Sequence, residues 1–152
     1  MLQRPQTLFL LGVFILSLLL LTGPITILSL DGAEYLLKYS GLFDADEVNM
    51  GVATWPLSVI LIAGSLLSFL NIFLYRHRIR QMRIAVFLIL LNAGMLGMMF
   101  YYTFVARTHV EGALVMHQWR FVVPPVNMVL LYFAFRRIRR DELLVKAFDR
   151  IR

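Results

Sequence analysis

Apolar residues in this chain gather into four long blocks separated by polar or charged breaks. From Thr7 to Thr22 every residue is apolar, Gly, Ser or Thr, and Gly23-Pro24 then interrupts the run. Pro5 suits a first helical turn, where its missing N–H costs nothing. A helix over 5–22 reaches ~27 Å at about 1.5 Å per residue, a slightly short membrane span. A cleaved signal peptide is the rival reading, but the apolar core is too long and no small-x-small site follows it cleanly. The second block, 55–75, opens at Trp55-Pro56 and closes at Tyr75, with aromatic residues at both ends as membrane interfaces favour. The third, 84–102, runs from Ile84 to Tyr102. The last, 122–138, enters through Pro124-Pro125, and its arginines lengthen it by snorkelling to the interface.

The breaks differ in character. Tyr75-Arg76-His77-Arg78-Ile79-Arg80-Gln81-Met82-Arg83 is a basic knot that cannot sit in hydrocarbon, so it reads as a turn between two spans. Residues 25–39 read as a β-hairpin, because Asp31-Gly32 suits a type I′ turn and the flanks are β-branched and aromatic. Continuation of the first helix to Leu30 is the competing expectation. Residues 103–120 alternate in the same way around Glu111-Gly112 and predict a second hairpin, lying on the same side and able to pair with the first. Asp44-Ala45-Asp46 begins like a calcium loop, but Val48 occupies a ligand position, which favours a plain acidic loop. After the last block, 139–152 stays in helical register: Leu144, Phe148 and Ile151 share a stripe, and Glu142 and Lys146 are spaced as an ion pair.

Composition agrees with the pattern. The chain is 60% hydrophobic, where soluble domains are about 45–50% apolar. The expected fold is an all-α membrane protein, a four-transmembrane-helix bundle with small extracytoplasmic β-hairpins, forming one integral membrane domain over 1–152. The net charge of +6 does not point to nucleic acid, because the charges sit at the ends of apolar blocks. The absence of cysteine excludes disulfides, thiolate metal sites and a lipoprotein anchor.

Charge placement orients the spans. With the knot in the cytoplasm, twelve of the fifteen Lys and Arg residues lie inside, and only Lys38, Arg107 and Arg120 lie outside. Six of the nine acids lie outside: Asp31, Glu34, Asp44, Asp46, Glu47 and Glu111. The basic count decides orientation, so both termini are expected in the cytoplasm.

Several stretches resemble a known family: Gln3-Arg4-Pro5-Gln6-Thr7, Trp55-Pro56-Leu57, Arg83 to Gly97, and Arg139-Arg140-Asp141-Glu142-Leu143-Leu144-Val145 with Asp149-Arg150-Ile151-Arg152. Together they resemble small four-span bacterial membrane proteins, typical of Bacteroidetes-type bacteria, that are classed only as a domain of unknown function. The resemblance covers nearly the whole chain. It implies an inner-membrane four-helix protein and carries over no catalytic residues.

Candidate chemistry is sparse. Asn92 and Asn127 each lie ~12 Å from a cytoplasmic helix end and Asn71 ~6 Å, counting about 1.5 Å per residue. Asn92 and Asn127 thus share a level and suit an interhelical hydrogen bond; structural glue is favoured over a polar track. No acid, lysine or histidine lies in the predicted membrane centre, which argues against an ion-coupled transporter. Gly64 with Ser68, and Ala93 with Gly97, have the spacing at which helices pack closely. His109 and His117 fall on opposite arms of the second predicted hairpin, too few for a well-defined metal site. Met95, Met98 and Met99 suit a helix interface better than copper. No nucleophile motif or phosphate loop is present. Arg76, Arg78, Arg80, Arg83, Arg136, Arg137, Arg139 and Arg140 form a cytoplasmic rim suited to anionic lipid headgroups or a protein partner.

The expectation is a non-enzymatic accessory or scaffold subunit without catalytic residues or cofactor, in contact with the bilayer, with membrane protein partners and without nucleic acid. The alternative is a small-molecule or lipid transporter with a polar track. Reporter fusions test the topology: fusions at residue 80 and at the termini should report cytoplasm, and fusions in both outer loops the opposite. A periplasmic reporter active at residue 80 would overturn it.

Overall fold

The computed structural model describes residues 5–44, 46–74 and 77–149. The chain is mostly helical, with one small antiparallel sheet. Helix α1 spans Pro5–Leu19 and ends in a 3-10 turn, Leu20–Thr22. Strands β1 (Thr26–Leu30), β2 (Ala33–Lys38) and β3 (Gly41–Phe43) follow. Helices α2 (Trp55–Phe73) and α3 (Arg78–His109) come next, then β4 (Leu114–His117), a 3-10 turn and α4 (Val123–Asp149). Three helical segments, Trp55–Phe73, Arg78–His109 and Trp119–Leu144, are long and apolar enough to cross a membrane. The first apolar helix, Thr7–Thr22, is shorter than the other three.

The helices pack in sequence order, α1 on α2, α2 on α3 and α3 on α4, and α4 closes back on α1. Glycine permits close approach where it faces a neighbour. A Cβ on Gly64 would stand 2.9 Å from Leu91 Cδ2, so α2 and α3 meet there with no room to spare.

The first hairpin forms as its turn chemistry demands. Asp31 (φ 50°) and Gly32 (φ 85°) both take positive φ, and Leu30 pairs with Ala33 across the turn. The sheet order is β3-β2-β1-β4. β1 and β4 pair antiparallel with Thr26 opposite His117.

The second predicted hairpin is corrected. Residues 103–109 continue α3, and only Leu114–His117 becomes a strand, which pairs with β1 instead of its own preceding arm. The buried series Met95, Met99, Thr103, Ala106 and Val110 advances by three or four residues, which is a helical period. Two hydroxyl bonds fix the extension: Thr103 Oγ1 donates to Met99 O at 2.8 Å, and it lies 3.2 Å from Thr26 Oγ1 on β1. β-branched and aromatic content imitated a strand; burial on one helical face prevailed.

The basic knot is corrected in part. α3 starts at Arg78, so Ile79 to Arg83 are helical and Gln81 is buried. Tyr75 and Arg76 lie outside the described residues. The last span and its tail form one helix, α4, through Asp149. Leu144 is exposed on it, while the stripe partner Ile151 lies outside the described residues.

Interior apolar residues form two clusters. One, at the sheet end, joins Leu20, Leu28, Leu37, Leu61, Met95, Met99 and Val123. The other, in the arginine-bearing half, joins Leu10, Val13, Leu88, Leu131 and Ala134.

Packing at Gly64 generates a stability contrast. Gly64→Leu should cost about 1–3 kcal/mol by overpacking against Leu91. Gly97→Leu, where a Cβ meets nothing within 4 Å, should change stability by no more than about 0.5 kcal/mol. Thermal unfolding of both variants in detergent checks the difference.

Candidate functional site

Between the two apolar clusters lies a polar layer built from three helices. Each helix contributes in the same manner, stepping from one cluster to a polar residue and on to the other cluster by three or four positions. The steps are Val13–Ser17–Leu20 on α1, Leu88–Asn92–Met95 on α3 and Val123–Asn127–Leu131 on α4. All three polar side chains are buried. Asn127 Nδ2 donates to Asn92 Oδ1 at 3.3 Å and to Ser17 Oγ at 3.2 Å.

The outer bonds of the layer return to the backbone. Asn92 Nδ2 donates to Leu88 O at 2.8 Å, and Ser17 Oγ donates to Val13 O at 2.8 Å. Asn127 Oδ1 has no partner among the described residues. Ser17 completes the layer and was not singled out from sequence. Its signal was available: it lies on the same helical face as Leu10, Val13 and Leu20.

Asn71 is not part of this layer. It is buried near the α2–α3 connection, where Gln81 Nε2 donates to Asn71 O at 3.2 Å. Ser68 Oγ, Gln81 Oε1 and both polar atoms of the Asn71 side chain lack partners among the described residues.

The small residues divide between two environments. Gly64 and Ser68 are buried on α2. Ala93 and Gly97 are not covered by another helix among the described residues: both are exposed on α3, as is Gly94. A Cβ at Gly94 or Gly97 would meet nothing within 4 Å. Their spacing was legible, but spacing alone does not say which way the face turns. Leu90, Tyr101 and Phe104 extend the exposed stripe at 66%, 61% and 67% exposure.

At the arginine end, Arg78 Nη1 donates to Asp141 O at 3.1 Å and joins the start of α3 to α4. Arg80, Arg83, Arg136, Arg137, Arg139 and Arg140 are exposed, and Arg76 lies outside the described residues. Arg83 and Arg139 line one groove between α3 and α4. Arg136, Arg137 and Arg140 line a separate, smaller one with Phe133.

The sheet end has its own polar fastenings. Arg120 Nε donates to Leu19 O at 3.3 Å and its Nη2 to Thr22 Oγ1 at 3.2 Å, so a cation closes the carbonyl end of α1. Tyr39 O accepts from Thr54 Oγ1 at 2.8 Å and Ser58 Oγ at 2.6 Å, fixing the outer loop to the start of α2. Lys38 Nζ lies 3.1 Å from Glu47 Oε1.

The two histidines do not oppose each other across a hairpin. His109 sits on the last turn of α3, with Nδ1 2.9 Å from Val105 O, whereas His117 lies on β4 with its ring 4.5 Å from that of Phe121. Met95 and Met99 are buried in the apolar cluster, and Met98 packs beside it.

A family model described as "Domain of unknown function (DUF4293)" matches residues 2–151. No curated protein matches the chain.

The polar layer generates a measurable coupling. Asn92→Leu and Asn127→Leu should each leave the fold intact: without Asn92, Asn127 still reaches Ser17, and without Asn127, Asn92 and Ser17 keep their backbone carbonyls. A double-mutant cycle on unfolding in bicelles should return about 0.6 kcal/mol for the pair. A coupling of zero would show that the contact contributes nothing.

Proposed function

The chain belongs to that family, whose activity is undefined, and we propose that it is a non-enzymatic four-span protein of the bacterial inner membrane, serving as an accessory or scaffold subunit of a larger membrane complex. The exposed face of α3 carries this reading. In a lipid-facing helix a side chain of any size is tolerated, whereas close helix contact favours small residues. Ala93, Gly94 and Gly97 form such a surface, and no helix among the described residues covers it.

Four crossings follow if α1 and its 3-10 turn span as well, with local bilayer thinning or snorkelling absorbing the shortfall. The arginine end is then cytoplasmic by its excess of basic residues, with both termini there and the sheet on the opposite side. The rim contacts anionic headgroups as any such surface does.

Transport through an asparagine track is the competing reading. The hydrogen bonds favour glue, since Asn127 spends its amide on Ser17 and Asn92, and Asn92 spends its own on Leu88 O.

Purification in gentle detergent with mass spectrometry should recover a reproducible membrane partner. Gly94→Leu/Gly97→Leu should abolish that recovery while preserving thermal stability. A monodisperse wild-type monomer with no partner would refute the proposal.

A further inference from the structure

The groove between α3 and α4 at the arginine end has two kinds of wall. Its volume is 510 Å³. Met82 and Val86 from α3 face Phe135 and Leu143 from α4, and Arg83 and Arg139 line the same space. Val86 lies one turn beyond Met82 on α3, and Phe135 one turn before Arg139 on α4, so the apolar positions continue inward from the two arginines on both helices. Both arginines are exposed. Glu142 also borders the groove, but it has an interaction of its own.

We propose that this groove is a specific site for an anionic phospholipid, with its phosphate on Arg83 and Arg139 and an acyl chain along Val86 and Phe135. This rests on the membrane reading above and deepens it. Guanidinium groups match phosphate oxygens in a fixed fork geometry, and two from different helices can take one phosphate between them. An acyl chain matches the rest of the lining. A free phosphate ion would leave the apolar walls unused, and a zwitterionic headgroup would bring a cation against two arginines. The neighbouring groove of Arg136, Arg137 and Arg140 is more basic but only 240 Å³, with all its lining residues on α4. It offers charge without a second helix as a wall.

The full chain in nanodiscs of phosphatidylcholine with a minority of phosphatidylglycerol, followed by native mass spectrometry, tests this. The wild type should retain phosphatidylglycerol in preference to phosphatidylcholine. Arg83→Gln/Arg139→Gln should lower that retention by roughly fivefold per arginine. Arg136→Gln/Arg137→Gln removes the same charge from the rim outside the groove and should lower retention less than the groove pair does. Val86→Trp keeps every charge but fills the groove; Val86 is 43% exposed, so the fold accommodates the larger ring, and retention should fall.

Equal losses from both arginine pairs would reduce the site to diffuse rim charge and overturn the proposal. Full retention by Val86→Trp would do the same, as would displacement of the lipid by glycerol phosphate, which would mark a soluble-anion site. A wild-type chain that does not enter nanodiscs would refute the membrane reading and the site with it, before any variant is made.

Discussion

One amide group sets the mutual register of three helices. Asn127 divides its donor between Ser17 and Asn92, while those two give their own protons to Val13 O and Leu88 O. Sliding α4 along its axis by one turn would bring Asn127 against leucine and leave its buried amide unpaired, a cost of about 1–3 kcal/mol. The apolar clusters on either side tolerate substitution among similar shapes. The layer between them is more selective about alignment, because hydrogen bonds have direction. Its individual bonds are weak, so its value lies in rejecting other alignments more than in holding this one.

From that register the two ends acquire different tasks. Toward the sheet, α3 runs on past the last aromatic residues of its apolar block, and Thr103 meets Thr26 on β1, one of the two inner strands. Arg120, in the turn after β4, closes the end of α1. The sheet is therefore tied to the helices by hydroxyls and one guanidinium as well as by leucine packing. Toward the other end, Arg78 joins α3 to α4 through a single backbone carbonyl. The other arginines described there stay exposed, and the surface is shaped by which helix each one sits on.

Much of this was legible in the sequence, and the reasons differ from residue to residue. Asp31-Gly32 specified a hairpin because only a tight turn with two positive φ values explains that pair between β-branched flanks. The depth of Asn92 and Asn127 could be counted because helical rise is fixed. Residues 103–109 misled because strand propensity and helical burial compete there, and the deciding partner, Thr26, is far away in the chain. The small residues of α3 misled differently. Ala93 and Gly97 have packing spacing, but a single chain cannot say whether the surface that uses it is its own. Ser17 was passed over because one serine in an apolar helix has a backbone acceptor at hand, and only its neighbours on the same face reveal its second role.

The strand order has a consequence for how the chain is made. β1 finds β2 at once across a two-residue turn, but β4 is synthesised only after α2 and α3 are complete. Until then one edge of β1 is an open row of amides. The sheet can thus be completed only after α2 and α3 have been made, with α4 still to follow. A misplaced α3 would carry Thr103 away from Thr26 and leave β4 out of reach. Completion of a four-residue strand therefore depends on where the long helix before it ends.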